Sequence, residues 1–507
     1  MNESPVAAYL AATSPEKVNS AYLSYLCNLE QISLSSPEIA ASIVSELENQ
    51  RKRVKLIASE NYCSLSVQLA MGNLLTDKYA EGVPNHRFYA GNENVDIIES
   101  LAAKEARELF GAEYANVQPH CGADANMLAY WAIISTRVEA PALEKYRTES
   151  GAASLYNLSD AQWKELRACF GNQKLLGLDY YSGGHLTHGY RYNISGRMFD
   201  THGYTVDKET GLLDYDDIER QAMELKPLIL LVGYSAYPRK INFKRVREIA
   251  DKAGAVFMVD MAHFAGLVAG KVFTGEYDPV PWAHVVTTTT HKTLRGPRAG
   301  LVLSTKEFAE ALDKGCPLTM GGPLPHVIAA KAVAFREAAR PEFRDYARRI
   351  VENTRSLAAA CAGNGLDVLT GGTDNHLFLV NVRNIGLSGR QAEDALHDCN
   401  ITLNRNALPF DPNGPWYTSG LRIGTAALTT LGMGKTEMEE LGDIIPLVLK
   451  GTKPAQDEKD PRKQSKSRYT IDGGVKAGAL ARVEKLLSRF PVYPELDLPA
   501  LKKAFIP

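Results

Sequence analysis

The sequence predicts an α/β protein with a mixed, mostly parallel sheet, a helical amino-terminal arm and a smaller α+β domain at the carboxyl end. Short apolar runs at 227–234, 255–260 and 284–290 alternate with a helical pattern at 243–254. Strand, helix and strand in succession are typical of parallel βαβ units. The runs are also continuously apolar, as expected for strands that are covered on both faces.

Length and composition indicate a large globular protein of ordinary polarity. The chain has 507 residues, of which 45% are hydrophobic and 23% charged, and its formal net charge is −2. This balance gives no overall attraction to nucleic acid or to an anionic membrane, and we expect neither as a partner. No apolar stretch has the length of a membrane helix, and the amino terminus lacks the features of a signal peptide.

The seven cysteines are scattered along the chain, and none stands in a CxxC spacing. Their odd number and spacing favour reduced thiols over a disulfide framework, so we expect a cytoplasmic location. Histidines and cysteines do not fall into the spacing of a zinc site, and no metal is predicted.

Helical spacing dominates the first part of the chain. After a Ser-Pro start, Ile39, Ile43, Val44 and Leu47 recur along one helix face. A second amphipathic pattern covers 96–110. We therefore predict an amino-terminal helical arm over 1–57 and a large α/β domain over 58–345.

The pattern changes near residue 345, where we place the start of the smaller domain over 346–507. A long charged helix is expected at about 341–362, then a strand within GGTDNHLFLVNVRN and a helix over GRQAEDALHDCN. The segment 453–468 is rich in charge and proline, which predicts a mobile linker or surface loop. One last helix is expected around 480–490.

Three predicted strands carry polar side chains at their carboxyl ends, the edge at which open α/β sheets bind ligands. Asp260 and His263 follow one strand, Ser235 follows another, and His291 and Lys292 follow the third. Taken singly, such an aspartate is usually a turn residue and such a lysine is usually solvated. Their convergence at one edge favours a ligand site.

A lysine in a sheet crevice suits Schiff-base chemistry, because desolvation lowers its pKa and makes the amine a nucleophile toward a carbonyl. Pyridoxal 5'-phosphate requires such a lysine and a carboxylate beside its pyridine nitrogen. The chain between Asp260 and Lys292 is long enough for a crossover to the next strand, so both side chains can reach one crevice.

Two glycine-containing stretches are candidates for holding the cofactor's phosphate and ring. Gly122 and Ala123 stand just before an apolar helix, where free N–H groups bind anions, although most such helix starts bind nothing. The stretch GGHLTHG (183–189) would let the backbone or the His185 ring approach a flat ligand closely. An ordinary tight turn is an equally good interpretation of that stretch.

Eight segments of the chain resemble serine hydroxymethyltransferases, in the same order and over about residues 50–445. The run TTTTHKT is the most specific of them. The matching segments are LIASENY (56–62), KYAEG (78–82), ANVQPHCGADAN (115–126), GGHLTHG, VDMAHFAGLVA (259–269), VVTTTTHKTLRGPRAG (285–300), GGTDNHLFLV (371–380) and TSGLRIGT (418–425).

This resemblance implies the aspartate-aminotransferase-like fold, pyridoxal 5'-phosphate as cofactor, and a homodimer with shared active sites. It implies that Lys292 forms the aldimine, that Asp260 pairs with the pyridine nitrogen, and that His185 stacks on the ring. The other implied cofactor contacts are Gly122, Ala123, Ser235, His263, Thr289 and His291, with Gly321 and Gly322 coming from the other subunit.

The resemblance also implies how serine is bound. Arg422 matches the arginine that grips the amino-acid carboxylate, a planar fork meeting a planar anion, with Ser59 beside it. Tyr79, Glu81 and Tyr89 match residues that reach the site from the other subunit, and Arg298 would support the two tyrosines. The implied catalytic residues are Lys292, Glu81, Tyr79, His263 and Asp260, with Glu81 as the proton-transfer acid.

The implied reaction is the reversible transfer of the hydroxymethyl group of serine to tetrahydrofolate, giving glycine and 5,10-methylenetetrahydrofolate. The implied folate contacts are Tyr180, Gly184, Leu186 and Asn406. A folate-independent aldolase for β-hydroxy amino acids, or an amino-acid racemase, would use the same lysine and aspartate, but Glu81 and Asn406 favour the folate reaction. A binding protein without activity is disfavoured, because every matched residue is chemically competent.

The sequence departs from the family pattern in three places. The phosphate loop reads CGADAN where SGSQAN is usual, so Ala123 lacks a hydroxyl donor and Asp124 adds negative charge. The stretch before Gly321 is altered to CPLTMGG. An insertion over about 140–170 contains a capping box, Ser159 with Gln162, for a helix through Phe170. We hypothesise that this insertion alters the folate entrance.

Overall fold

A mixed, mostly parallel sheet forms the centre of the large domain, as predicted. The computed structural model describes residues 4–147, 154–458, 460 and 462–506. Within them the sheet has seven strands, and only Gly300–Ser304 runs antiparallel to its neighbours. In spatial order the strands are Tyr114–Asn116, Gly300–Ser304, Val285–Thr289, Val256–Asp260, Ile229–Gly233, Lys174–Leu178 and Asp200–Tyr204.

Both faces of this sheet are covered, which explains the continuous apolar runs of its strands. Leu230 and Val232 belong to one apolar core, whereas Ile229 and Leu231, pointing the other way, belong to a second core. Successive side chains of a strand alternate between faces, so each central strand contributes to both cores.

Helices pack on the two faces and on the edges of this sheet. Glu93–Phe110 and Phe243–Ala253 match the predicted amphipathic patterns. The other α-helices of this part are Leu65–Leu69, Gly122–Ile134, Ala140–Glu144, Asp160–Phe170, Ser195–Met198, Tyr215–Leu225, Ala265–Ala269, Ala309–Leu318 and Pro325–Ala338, and a short hairpin joins Gly82–Val83 to His86–Arg87.

The carboxyl-terminal part contains an antiparallel sheet in the order Asp367–Val368, Leu377–Asn381, Gly420–Gly424 and Asn404–Asn406. Its helices are Pro341–Gly363, Gly389–Asp398, Ala426–Thr430, Lys435–Lys450, Gly473–Leu487 and Leu498–Phe505. Val54–Lys55 pairs in parallel with Ile401–Thr402, which joins the start of the chain to this part.

The predicted boundary at 345 falls inside the helix Pro341–Gly363. Phe343 and Ile350, in its first half, pack into the core of the large domain. Leu357 and Cys361, in its second half, pack into the core of the smaller domain. A single helix therefore connects the two cores.

The amino-terminal arm is helical, with helices at Pro5–Ala12, Ser20–Ser35 and Pro37–Lys52. Val44 and Leu47 are buried against the carboxyl-terminal helix Leu498–Phe505, whereas Ile39 is largely exposed. The arm thus packs on the last helix of the chain, a contact between elements distant in sequence.

Two predictions for the carboxyl-terminal part are wrong. The segment 453–468 contributes to a hairpin of Thr452–Gln456 with Gln464–Ile471, although residues 459 and 461 lie outside the described residues. The Gln391 side chain donates to the carbonyls of Ser465 and Arg468, at 2.7 and 2.8 Å, so the helix beside the hairpin fixes its second strand. The helix that ends at Leu487 is also not the last, because Leu498–Phe505 follows.

The capping box predicted within the insertion is confirmed. The Ser159 side chain accepts from the Gln162 backbone N–H, and the Gln162 side chain accepts from that of Ser159, at the start of Asp160–Phe170. Residues 148–153 of the insertion lie outside the described residues. Within the described residues, no helix is both long and apolar enough to cross a bilayer.

Candidate active site

A cavity of about 330 Å³ opens at the carboxyl ends of the central strands, where the sequence predicts a ligand site. Asp260 ends one strand, and Lys292 follows its parallel neighbour Val285–Thr289. The predicted residues that line the cavity are Ser59, Gly122, Ala123, His185, Ser235, Asp260, His263, Thr289, His291, Lys292, Arg298 and Arg422. One chain therefore brings most of the predicted cofactor and substrate contacts together.

Lys292 lies in this cavity as a weakly basic amine. Burial lowers the pKa of Lys292 to about 8, against the opposing effect of the Asp260 carboxylate, and the charges of Arg422 and Arg298 lower it further. The Asn61 side chain donates to the Lys292 backbone carbonyl at 2.9 Å and so fixes the turn that carries the lysine. The amine is thereby presented partly unprotonated, as a nucleophile toward a carbonyl must be.

Asp260 is a buried carboxylate that the surrounding side chains keep ionised. Its Oδ2 accepts from Asn126 Nδ2 at 3.0 Å and from His188 Nε2 at 3.1 Å. Burial raises the pKa of Asp260, but the hydrogen bond from His188, the electrostatic effect of His188 and His185 and the hydrogen bond from Asn126 together outweigh burial and hold the pKa below its usual value. A permanent negative charge at this position suits a protonated ring nitrogen of a ligand.

His185 lines the same cavity as Asp260, and its ring is neutral. Its Nδ1 accepts from the Thr187 backbone N–H at 3.2 Å and contacts the Thr187 hydroxyl at 2.7 Å. Burial lowers the pKa of His185 to about 4, and the neighbouring His188 adds to that effect. A neutral, fixed imidazole suits stacking on a flat ring.

Thr289 and His291 lie at the end of the strand Val285–Thr289 and line the cavity. The Thr289 hydroxyl donates to the Ala262 carbonyl at 3.3 Å, which ties the two neighbouring strands together at the cavity. Burial lowers the pKa of His291 to about 3, and the adjacent Lys292 adds to that effect. His291 is therefore neutral at physiological pH.

Gly122 and Ala123 form the first turn of the helix Gly122–Ile134, so they do not precede it as predicted. Their backbone N–H groups are still among those that a helix start leaves free for an anion. A Cβ on Gly122 would lie 2.7 Å from Thr289 Cγ2, so the close approach of helix and strand requires glycine here.

Arg422 is a partly buried cation that makes no ion pair within the part of the chain that the structure describes. Its Nε donates to Asn404 Oδ1 at 3.0 Å, and its Nη1 donates to the Ser235 carbonyl at 2.7 Å. Burial lowers the pKa of Arg422 to about 10, which still leaves it charged. A partly buried guanidinium that lines a cavity and has no acidic partner among the described residues fits an anionic ligand.

A second cavity, of about 310 Å³, adjoins the first and shares His185, Ser235 and Arg422 with it. All of the predicted folate contacts line it, namely Tyr180, Gly184, Leu186 and Asn406. A Cβ on Gly184 would lie 2.0 Å from the Leu178 carbonyl oxygen, so the tight turn beside this cavity requires glycine.

Some predicted residues do not line the cavity of their own chain. Tyr79, Glu81, Tyr89, Gly321 and Gly322 are absent from its lining. The Tyr79 and Tyr89 rings pack edge to face with centroids 5.4 Å apart, and both are more than half exposed. A Cβ on Gly322 would lie 3.5 Å from the Tyr79 ring, so these residues cluster elsewhere on the surface.

Comparison with known proteins agrees with this geometry. The family model described as serine hydroxymethyltransferase matches residues 32–144 and 159–445. The chain belongs to the serine hydroxymethyltransferase family.

Individual relatives match over nearly the whole chain. A serine hydroxymethyltransferase from Treponema pallidum is 59% identical over 505 residues, covering 100% of this chain and 87% of its own length. One from Salinispora tropica is 55% identical, covering 95% of this chain and 99% of its own. One from Mycolicibacterium smegmatis is 53% identical, covering 96% and 97%.

The residues present fit the pyridoxal phosphate of serine hydroxymethyltransferases. The cavity combines a low-pKa amine at Lys292, an ionised carboxylate at Asp260 and a helix start at Gly122. These three features are suited to bind the aldehyde, the ring nitrogen and the phosphate of that cofactor, respectively.

The described residues of the insertion do not line the folate-side cavity of this serine hydroxymethyltransferase family member. The family model leaves 145–158 unmatched, a shorter interruption than the predicted 140–170. No residue of 140–170 lines either cavity among the described residues, and Arg137, just before the insertion, pairs with Glu307 at 2.8 Å. Glu307 follows the end of Gly300–Ser304, at the sheet edge opposite the site, so the described residues do not support an altered folate entrance, which stays a hypothesis.

Sequence reasoning missed several residues that shape the site. Asn126 and His188 bind Asp260, and His376 contacts His263 from below. Asn126 and His188 lie in CGADAN and GGHLTHG, and His376 lies in GGTDNHLFLV. The signal was therefore in the matched motifs, but only the fold shows which side chains meet.

The amine of Lys292 gives a prediction for pH dependence. The unprotonated fraction grows as pH rises through the pKa, so the rate at which the cofactor-free chain captures pyridoxal should rise with a midpoint near pH 8 and level off above it. Stopped-flow absorbance measures this rate. Because Asp260 raises the pKa of Lys292, Asp260→Asn should move the midpoint to lower pH. A rate that climbs without levelling toward pH 10 would contradict the assignment.

Proposed function

We propose that this chain catalyses the reversible transfer of the hydroxymethyl group of serine to tetrahydrofolate, forming glycine and 5,10-methylenetetrahydrofolate. The observation that carries the proposal is the pair of adjoining cavities that share His185, Ser235 and Arg422. One cavity has the chemistry of a pyridoxal phosphate and amino-acid site. The other stands beside it, where a one-carbon acceptor must be.

Arg422 binds and orients the serine carboxylate, with the Ser59 hydroxyl beside it in the same cavity. A guanidinium already held by Asn404 and the Ser235 carbonyl loses little freedom on binding, and a bidentate contact fixes the plane of the carboxylate. A carboxylate held in this way would orient the substrate within the cavity that Lys292 also lines.

Asp260 and His185 act on opposite parts of the cofactor. Pyridoxal phosphate, when bound, supplies an electron sink for the bond that breaks at Cα. Asp260 holds a proton on the ring nitrogen, which keeps that sink effective, and His185 excludes water from one ring face. Lys292 would supply the amine that binds the cofactor's aldehyde, and the backbone N–H groups of Gly122 and Ala123 would hold its phosphate.

Tyr180, Gly184, Leu186 and Asn406 form the folate site in this proposal. Leu186 is 41% exposed beside the cavity, and Tyr180 packs against Tyr190 with ring centroids 4.9 Å apart. An apolar and aromatic surface next to an amide suits a flat heterocycle that also forms hydrogen bonds.

Product analysis tests the reaction. With serine and tetrahydrofolate, the purified protein should release glycine and methylenetetrahydrofolate in equal amounts. Without tetrahydrofolate, glycine production should fall at least tenfold, because the one-carbon unit lacks its acceptor. Glycine formation independent of folate would point to an aldolase, and D-serine as the main product would point to a racemase.

We infer that the protein acts as a homodimer in which Tyr79, Glu81, Tyr89, Gly321 and Gly322 complete the site of the other subunit. These residues do not line the cavity of their own chain. Tyr79, Phe88 and Tyr89 expose 59%, 69% and 51% of their surface. An exposed cluster of large apolar side chains is typical of a surface that another protein covers. Glu81 would then act as proton-transfer acid in its partner's site, and Arg298 would meet the two tyrosines there.

A mixed dimer tests this arrangement. Lys292→Ala and Glu81→Gln chains should each be nearly inactive alone. Reassociated together, they should recover about one quarter of wild-type activity, because half of the dimers are mixed and each has one intact site.

The matched control combines Lys292→Ala with Arg422→Ala chains. Both residues line the cavity of a single chain, so no mixed dimer contains an intact site and no activity should return. Equal recovery in the two mixtures, or none in either, would contradict the shared site.

The predicted domain division and a cytoplasmic location are also part of the proposal. The division into 1–57, 58–345 and 346–507 is supported by the separate apolar cores on the two halves of Pro341–Gly363. The location is supported by the cysteines, all seven of which are free in the described residues.

A further inference from the structure

A second histidine, His376, contacts His263 but does not itself line the cavity. His263 Nδ1 and His376 Nε2 are 3.1 Å apart, and the ring planes are tilted by 33°. His376 is fully buried and His263 is 3% exposed, yet His263 lines the cofactor cavity. The two rings, in contact through their nitrogens, therefore connect the protein interior to the cavity lining.

Both rings are neutral. Burial lowers the pKa of His376 to about 3, and the cations Arg422 and Lys292 add to that effect. Burial likewise holds the pKa of His263 well below its usual value. Each neutral ring carries one N–H, so between the facing nitrogens one ring donates and the other accepts.

The far nitrogen of His376 decides which ring donates. His376 Nδ1 is buried and has no hydrogen-bond partner among the described residues. If His263 donated, His376 would have to keep its proton on that nitrogen, as a buried N–H without an acceptor. If His376 donates, the same nitrogen is only an unfilled acceptor, which proteins tolerate more readily.

We propose that His376 is a positioning residue that fixes His263 in the Nε2–H tautomer, so that His263 presents a hydrogen-bond donor to a ligand oxygen in the cavity. This inference rests on the proposed function only for the identity of that ligand. Either the ring oxygen of pyridoxal phosphate or the hydroxyl of serine supplies a suitable oxygen acceptor.

The backbone on both sides of His376 is anchored, as a positioning role requires. The Asn375 side chain donates to the Tyr234 hydroxyl at 3.1 Å and to the Tyr237 carbonyl at 3.0 Å. The Thr425 backbone N–H donates to the His376 carbonyl at 3.2 Å. The His376 ring is thus held against the large domain by contacts that do not involve the ring itself.

Nitrogen NMR of the ¹⁵N-histidine-labelled, cofactor-free protein tests the tautomer directly, because ring couplings distinguish Nδ1–H from Nε2–H. We expect His263 as Nε2–H in the wild type and in His376→Gln, whose amide can donate from nearly the same place. In His376→Leu the preference should be lost. An Nδ1–H tautomer for wild-type His263 would overturn the proposal whether or not the proposed reaction occurs.

Ligand binding tests the consequence. If the ring oxygen of pyridoxal phosphate is the acceptor, His376→Leu should weaken cofactor binding about tenfold and His376→Gln should restore it, as expected for one misdirected hydrogen bond. In that case the difference between the variants should disappear with 3-deoxypyridoxal phosphate. If the serine hydroxyl is the acceptor, cofactor affinity is unchanged but the loaded His376→Leu protein loses its preference for binding serine over alanine. Unchanged cofactor affinity together with unchanged serine preference would overturn the proposal.

Discussion

Lys292→Ala is expected to lose at least about a thousandfold in turnover, because no other amine of the chain lines the cavity among the described residues. The lysine is the only group there that can exchange a carbonyl carbon with an incoming amino acid. The assay is methylenetetrahydrofolate formation at saturating serine and cofactor. The loss should appear in the maximal rate, since the proposed contact of Arg422 with the carboxylate is retained in this variant.

Two controls separate loss of the amine from loss of the fold. Lys292→Arg keeps a cation in the cavity but removes the nucleophile, and it should be as inactive as Lys292→Ala. A small primary amine added to Lys292→Ala should restore part of the rate, because the truncated side chain leaves room for it. Substantial activity in Lys292→Arg would contradict the assigned role.

Arg422→Ala is expected to lower kcat/KM for serine about a thousandfold, because a buried, charge-assisted contact with the carboxylate is lost. The cation makes no ion pair within the described residues, and its held position is suited to an anion that arrives with the substrate. Steady-state kinetics with serine measures the effect. Most of the loss should be in KM, with a further loss in kcat from misorientation.

Serinamide provides the matched substrate for this variant. Wild-type protein should prefer serine to serinamide by about the same thousandfold, since the amide lacks the charge that Arg422 binds. Arg422→Ala should have almost no preference, and Arg422→Lys should keep only part of it, because a point charge cannot form the planar fork. A preference for serine that survives Arg422→Ala would show that another group binds the carboxylate.

The central sheet was predictable because its strands are locally distinctive. Runs such as LILLVG and AVFMV contain no polar side chain, and the structure buries both of their faces. The antiparallel strand Gly300–Ser304 was not predictable from the same pattern. Its direction depends on pairing with Val285–Thr289 and Tyr114–Asn116, which no local pattern encodes.

The hairpin that includes most of 453–468 shows that composition alone did not predict the structure of this segment. Lysine, aspartate and proline are typical of linkers, and the strands are too polar to show an alternating pattern. What orders them is tertiary: Ser388 and Gln391, at the start of one helix, bind backbone carbonyls of the second strand. Contacts of this kind join residues some 75 positions apart and leave no local trace.

Some residues of the candidate site were likewise predictable from the sequence, whereas others were not. Residues that end strands, such as Asp260 and Lys292, follow from topology, since parallel strands deliver their carboxyl ends to one edge. His376 comes from the other domain and contacts His263 across 113 positions of sequence, so only the fold brings them together. Tyr79 and Glu81 lie away from the cavity of their own chain, and only the resemblance to the family, not the local sequence pattern, indicated this.

Covalent attachment of the cofactor at Lys292 is the central claim, and borohydride reduction followed by peptide mass spectrometry tests it most directly. Lys331 is the internal control, because burial lowers its pKa to about 7 while its Nζ donates to three backbone carbonyls outside the cavity. We predict a reduced pyridoxyl group on the Lys292 peptide at near-full occupancy, with the Lys331 peptide unmodified. An unmodified Lys292 peptide after saturation with pyridoxal phosphate would contradict the account.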